Sequence, residues 1–165
     1  MLDLNMIFNV IDSALQVNVK VDLSDEKISN KSIFPDPLRL SVLVENVSDV
    51  VYLKYNVEGV LKTDCDRCLC EVIRDIDDDY SHILTTDDDY AKKNEGAIIF
   101  CENGKLDLTQ VLISDVFLNL DLQILCDEGC KGLCSICGQN LNLEECDCEI
   151  KIVDPRLEKL KDLLK

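Results

Sequence analysis

The stretch from Cys130 to Cys148 reads C-K-G-L-C-S-I-C-G-Q-N-L-N-L-E-E-C-D-C. Five of the chain's ten cysteines fall within it, with Gly132, Gly138, Asn140 and Asn142 between them. Sulfur and turn formers dominate and no apolar face runs through the segment, so burial alone cannot give it a shape. Its sharpest unit is Cys134-Ser135-Ile136-Cys137-Gly138. A C-x-x-C pair followed by glycine lets the backbone curl until both sulfurs face one metal ion, and Gly138 supplies the positive φ that the curl needs. Four thiolates around zinc then require a further contribution from Cys130 together with Cys146 or Cys148. Five cysteines compete for four places. The expected ligands are Cys130, Cys134, Cys137 and Cys148, with Cys146 as a competing ligand, since alternate residues of a C-x-C pair lie on one side of an extended chain. The contrasting reading is a surface loop carrying free thiols or disulfides.

Outside this stretch, 165 residues suffice for one domain with a real core and a small appendage. An apolar fraction of 47% argues against a disordered chain, and a charged fraction of 30% argues for a soluble one. No apolar run approaches the length of a membrane span, and Met1-Leu2-Asp3-Leu4-Asn5 lacks the basic start and apolar core of a signal peptide, so a cytoplasmic location is expected. In that compartment, cysteines serve as ligands, buried apolar groups or redox thiols more often than as a disulfide framework. The formal net charge is −16, and a zinc tetrathiolate adds a further charge of about −2. Such a surface repels a phosphate backbone and favours partners with basic surfaces, although a local basic patch leaves direct RNA contact open.

Period-two alternation predicts strands. Val17, Val19, Val21 and Leu23 share one face of 16–23, Leu38, Leu40, Val42 and Val44 another, and Val51, Leu53, Tyr55 and Val57 a third. Residues 1–10 alternate more loosely and are read as a first strand. Residues 24–32 read as a loop, and Pro35-Asp36-Pro37 as a break. Cys65-Asp66-Arg67-Cys68 is read as the turn of a long hairpin, because alternation resumes at Val72. This pair is a possible second metal-binding pair completing a site with Cys134 and Cys137, a redox dithiol, or a structural pair without a present role. A redox pair usually sits at a helix N-terminus, and the flanks here are strand-like.

From Asp75 to Glu95 eight acidic residues face Lys92 and Lys93. Their spacing does not follow an EF-hand loop, so a solvated loop is expected. His82, the sole histidine, is read as a strand residue without a catalytic role. Residues 97–101 form a short apolar run, 102–105 a turn, and Asp107 opens an amphipathic helix in which Leu108, Val111, Leu112, Asp115, Val116, Leu118 and Asn119 follow mostly three- and four-residue steps, a helix expected to cover the dry face of the sheet. Residues 120–125 alternate once more. Asp154-Pro155-Arg156 reads as a capped start of a terminal helix bearing Leu157, Leu160 and Leu164. No internal repeat is visible.

In order, Cys-Asp-Arg-Cys-Leu (65–69), the Asp-Leu-Thr helix, the Cys130–Asn142 run, Cys146-Asp147-Cys148 and Asp154-Pro155-Arg156-Leu157 resemble the bacterial large ribosomal RNA accumulation family of the YceD type. The resemblance runs from about residue 38 to the end. It implies a non-enzymatic protein needed for 23S ribosomal RNA accumulation and large-subunit assembly, with ribosomal proteins or assembly intermediates as partners. The family's paired cysteines carry over onto Cys65 and Cys68, and those of its cysteine-rich branch onto Cys130, Cys134, Cys137, Cys146 and Cys148. The competing function is a thiol–disulfide or zinc-linked redox switch using the C-x-x-C pairs. No nucleophile constellation or phosphate loop can be assembled from the chain, so no enzyme is expected.

The expected architecture is α+β: a mostly antiparallel sheet with one packed amphipathic helix over residues 1–125. A cysteine-rich, zinc-knuckle-like module with a short terminal helix follows over 126–165.

Overall fold

The chain is described by a computed structural model over residues 1–28, 31–94 and 98–148. The expected terminal helix at 154–164 lies outside these residues. Two compact units divide the chain: Met1–Thr63 with Val72–Gln123, and Asp64–Glu71 with Ile124–Lys165. The expected boundary at 125 therefore misses one segment. Residues 64–71 belong with the cysteine-rich part, for the reason given below.

In chain order the elements are β1 (Leu2–Asp3), α1 (Asn5–Asn9), β2 (Ala14–Val21), β3 (Lys27–Ile28), β4 (Lys31–Ser32), β5 (Leu38–Val47), β6 (Val50–Asp64), β7 (Glu71–Thr85), α2 (Asp88–Lys93), β8 (Ile98–Phe100), a 3-10 turn (Glu102–Gly104), β9 (Lys105–Leu106) and α3 (Leu108–Asn119). Five strands form the main sheet in the order β2-β5-β6-β7-β8. β2 with β5 and β5 with β6 are antiparallel, whereas β7 and β8 are parallel. A parallel pair needs a crossover, and the segment carrying α2 provides it.

Alternation and burial coincide in the central strands. Leu38, Leu40, Val42 and Val44 of β5 are buried, as are Val51, Leu53, Tyr55 and Val57 of β6, and the register sets Val42 opposite Tyr55 and Val44 opposite Leu53. Leu108, Leu112 and Val116, one helical repeat apart on α3, are buried as well. Asp107 caps that helix by accepting from the backbone N–H groups of Thr109 and Gln110. Asp115 then ties α3 to the sheet: its Oδ2 accepts from the Tyr55 hydroxyl and lies 2.6 Å from His82 Nε2. His82 is a strand residue, as expected, but its acidic partner comes from a helix distant in sequence.

β5 and β6 are joined by Ser48 and Asp49, both at positive φ, a two-residue turn of the type whose twist suits a hairpin. Asn46, fully buried, stabilises this corner. Its side chain donates to the Ile7 carbonyl at 2.8 Å and accepts from the Asp49 N–H at 3.1 Å.

Several expectations are corrected. The first ten residues are a two-residue strand and a helical turn. Asp3 accepts the Asn5 N–H at 3.0 Å, and burial falls on Leu4 and Ile7 while Met6 and Val10 stay exposed, which is a helical spacing. The 24–32 loop carries the small hairpin β3–β4. The described part of the acidic stretch, up to Asn94, is a strand and a helix in place of a loop: β7 continues to Thr85, with Asp77 and Asp79 accepting from the Asn56 side chain at 2.9 and 3.1 Å, and Asp87 caps α2. Residues 120–125 form no strand, since Leu122 is fully exposed and only Ile124 among them is buried. Among the described residues, no helix is long and apolar enough to cross a membrane.

Candidate metal centres

The second unit has almost no hydrocarbon core. Its buried apolar side chains, among the described residues, are Cys65, Cys68, Cys130, Cys134 and a single aliphatic group, Ile124. The sulfurs gather into two groups of four: Cys65, Cys68, Cys70 and Cys126, and Cys134, Cys137, Cys146 and Cys148. Within each group the ligand atoms all lie within 4.8 Å of one another. A tetrahedral zinc with Zn–S bonds near 2.3 Å sets its sulfurs about 3.8 Å apart. Each quartet thus fits such an ion with adjustments of well under the length of one bond.

The hairpin between β6 and β7 builds the first group. The Cys65 N–H donates to the Cys70 carbonyl at 2.8 Å, and the Leu69 N–H donates to the Cys65 carbonyl at 2.9 Å. This curl carries Leu69 through φ 59°. Cys68 Sγ lies 3.2 Å from Cys70 Sγ and 3.5 Å from Cys126 Sγ. Cys126 arrives because Asp66 grips Ile124 twice: the Asp66 N–H donates to the Ile124 carbonyl at 2.9 Å, and Asp66 Oδ2 accepts the Ile124 N–H at 2.6 Å. That grip explains why residues 64–71 fall in the second unit.

The second group is contiguous. The Cys134 N–H donates to the Gln139 carbonyl at 2.8 Å, and the Gly138 N–H donates to the Cys134 carbonyl at 2.9 Å. Gly138 takes φ 75°, as its place in the motif predicts. Leu133 and Asn140 form a bridge behind the knuckle, and a turn over 140–144 sends the chain back so that Cys146 and Cys148 reach Cys134 and Cys137. Gly132, at φ 77°, passes close to the first knuckle, where a Cβ would stand 3.1 Å from the Arg67 carbonyl oxygen. The Leu133 N–H donates to that same oxygen at 3.2 Å.

Of the expected ligands, Cys134, Cys137 and Cys148 come together, and Cys146 joins them as the fourth sulfur. Cys130 does not. It is buried 3.8 Å from Cys65 Sγ and accepts from the Asn142 side chain at 3.3 Å. The short return after Glu144 carries both members of the C-x-C pair into the group and leaves Cys130 no corner to fill. Cys65 and Cys68 group with Cys70 and Cys126 rather than with Cys134 and Cys137. The sequence reading missed Cys70 and Cys126 as site residues. The spacing Cys68-x-Cys70, identical to Cys146-x-Cys148, was the available signal for the first; the second is brought in only by the Asp66 grip.

Electrostatics divide each quartet. Burial opposes ionisation of Cys65, but the N–H groups of Cys68, Cys126 and Arg67 directed at its sulfur outweigh it and lower the thiol to about 6. The N–H groups of Cys137 and Ile136 likewise lower Cys134 to about 6. Hydrogen bonding to Cys68 and Cys70 pushes Cys126 up, and hydrogen bonding to Cys137 with burial pushes Cys148 up to about 12. The Cys70 N–H also lowers Cys68, while Cys70 and Cys146 are pushed up, so each quartet holds thiols shifted in opposite directions, the pattern expected where several sulfurs crowd together without a cation. Both C-x-x-C pairs are in hairpin turns. Neither opens a helix, so the dipole that activates redox dithiols is absent from both.

The profile of the large ribosomal RNA subunit accumulation protein YceD family matches residues 53–164, spanning the first knuckle, α3 and the second knuckle. The chain belongs to this family. An uncharacterized protein of Mycobacterium leprae is 30% identical to it over 130 residues, covering 78% of this chain and 59% of that protein. A chloroplast homologue from Arabidopsis thaliana, described as a large ribosomal RNA subunit accumulation protein, is 38% identical over 47 residues, covering 28% of this chain and 15% of its own length. This YceD-family chain therefore spans less than two thirds of either relative. No solved structure matches it.

Proposed function

We propose that this protein is a non-enzymatic factor for 23S ribosomal RNA accumulation and large-subunit assembly, acting in the cytoplasm by binding. The observation that carries the reading is the YceD-family match over residues 53–164, whose family description names accumulation of the large-subunit ribosomal RNA. A net charge of −16 suits ribosomal proteins or protein-bearing assembly intermediates better than naked RNA. The second unit serves that binding as a rigid element whose contiguous quartet, Cys134, Cys137, Cys146 and Cys148, holds a structural zinc ion. Four thiolate donors at tetrahedral spacing favour zinc over harder cations. A deletion strain tests the function. Mature 23S RNA and large subunits fall relative to small subunits, and complementation restores them; an unaltered ribosome profile on sucrose gradients would overturn the assignment.

A further inference from the structure

We infer that the β6–β7 hairpin is a second, separate zinc site, with Cys65, Cys68, Cys70 and Cys126 as its ligands, so that the chain carries two metal ions in two copies of one knuckle. The shared C-x-x-C spacing is matched by the backbone. In both, the first cysteine's N–H donates to the carbonyl five residues on, to Cys70 in one and Gln139 in the other, at 2.8 Å each. In both, the N–H of the residue after the second cysteine returns to the first cysteine's carbonyl, from Leu69 and from Gly138, at 2.9 Å each. That residue has positive φ in both, 59° and 75°. Beyond the cysteine spacing the sequence hides the repeat, because one copy uses leucine where the other uses glycine.

The leucine is itself informative. A left-handed conformation costs a non-glycine residue about 1–2 kcal/mol, and Leu69 gains no burial there, being 64% exposed. Nothing in the side chain rewards the strain, whereas the carbonyl and N–H arrangement it permits points Cys65 and Cys68 at one centre. The fourth ligand argues the same way. Cys126 is exposed, so it is not held by burial, yet Asp66 spends a backbone and a side-chain hydrogen bond on fixing the residue two positions before it. A metal clip closing the long segment between Cys70 and Cys126 removes much unfolded-state freedom. Cys130, touching Cys65 but not part of the quartet, stands outside the ligand set with its sulfur held by Asn142.

The site depends on this chain's own sulfurs and not on the ribosomal reading, so metal analysis and ribosome profiles fail independently. The full-length chain, purified under reducing conditions without chelator, is measured by native mass spectrometry and elemental analysis. Two zinc ions per chain are expected. Cys126→Ser and Cys70→Ser each reduce the count to one, Cys137→Ser also reduces it to one, and Cys130→Ser leaves it at two. Cobalt substitution of the wild type gives a thiolate-to-metal charge-transfer band that falls by about half in Cys126→Ser. Because a serine variant can fail to fold, the wild type is also alkylated with iodoacetamide: Cys70 and Cys126 stay protected until a chelator is added. One ion per chain, retained in Cys126→Ser, or alkylation of Cys70 and Cys126 at the unfolded rate before chelation, overturns the inference.

Discussion

If the two sulfur quartets hold the proposed zinc ions, removing the metal should melt the second unit and spare the first. In the second unit a single aliphatic side chain, Ile124, is buried among the described residues, and burying it contributes about 1.5–3 kcal/mol. Conformational entropy opposes the ordering of every residue in the unit, and one aliphatic side chain cannot offset it. Structural zinc contributes roughly 10–16 kcal/mol per site in small modules, the largest single stabilising term open to this unit. Metal removal should therefore lower the opening free energy of this unit to near zero. The assay is hydrogen exchange read by mass spectrometry or NMR, at neutral pH with reductant, before and after a chelator. The amides of Cys65, Leu69, Cys134, Gly138 and Leu141, all hydrogen-bonded to backbone carbonyls, should lose protection by a factor of a thousand or more. Those of β5, whose side chains Leu38, Leu40, Val42 and Val44 are buried, should hardly change. Persistent slow exchange at Leu69 and Gly138 in metal-free protein would refute the reasoning, since hydrogen bonds would then be holding the knuckles without sulfur–metal bonds.

Three further outcomes are expected. Asp115→Ala leaves the buried Tyr55 hydroxyl and His82 without their shared acceptor and should destabilise the sheet unit by about 1–3 kcal/mol in urea titrations followed by tyrosine fluorescence; a change below about 0.5 kcal/mol would show that the contact carries no weight. Gly132→Ala places a methyl group 3.1 Å from the Arg67 carbonyl at φ 77° and should cost about 1–2 kcal/mol, seen as faster zinc loss to a chromogenic chelator; an unchanged rate counts against the close approach. Burial pushes Cys101 up to about 11 and Tyr80 up to about 12. The unfolded chain releases these protons first, so stability present below pH about 9 should be lost as pH rises through about 11, with a slope of up to about 1.4 kcal/mol per pH unit for each group. Cys101→Ala should flatten the first part of that fall in urea midpoints measured from pH 8 to 11, and an identical slope in the variant would rule the thiol out.

The strands were legible because sheet burial leaves a period of two in the sequence. Leu38 to Val44 and Val51 to Val57 announce which side is dry, and Asp107 with its apolar repeats announces α3. Where burial is shallow the signal fades. Residues 5–9 bury one side chain of the helix, Ile7, too little to display a helical period. Asp77 and Asp79 resemble a loop by charge but occupy the wet face of β7, where strand geometry tolerates them and Asn56 binds both. The turn at Ser48-Asp49 lacks the asparagine–glycine pair that marks such hairpins. Sulfur has no period at all. Spacing alone marks Cys134 and Cys137 as partners, but which of Cys130, Cys146 and Cys148 completes the group depends on where a turn over 140–144 returns the chain, and the link between Cys70 and Cys126 depends on a contact between Asp66 and Ile124. Long-range contacts of this kind, like that between His82 and Asp115, leave no local trace.

The grip of Asp66 on Ile124 also imposes a timetable. During synthesis the three cysteines of the hairpin emerge well ahead of Cys126, and until it follows, the nascent turn has three sulfurs and one open corner. The contiguous quartet waits only for its own last residues. A growing chain can therefore close its later knuckle as soon as that stretch is out, whereas the earlier one stays unfinished through the making of β7, β8 and α3 and is sealed only when Ile124 docks.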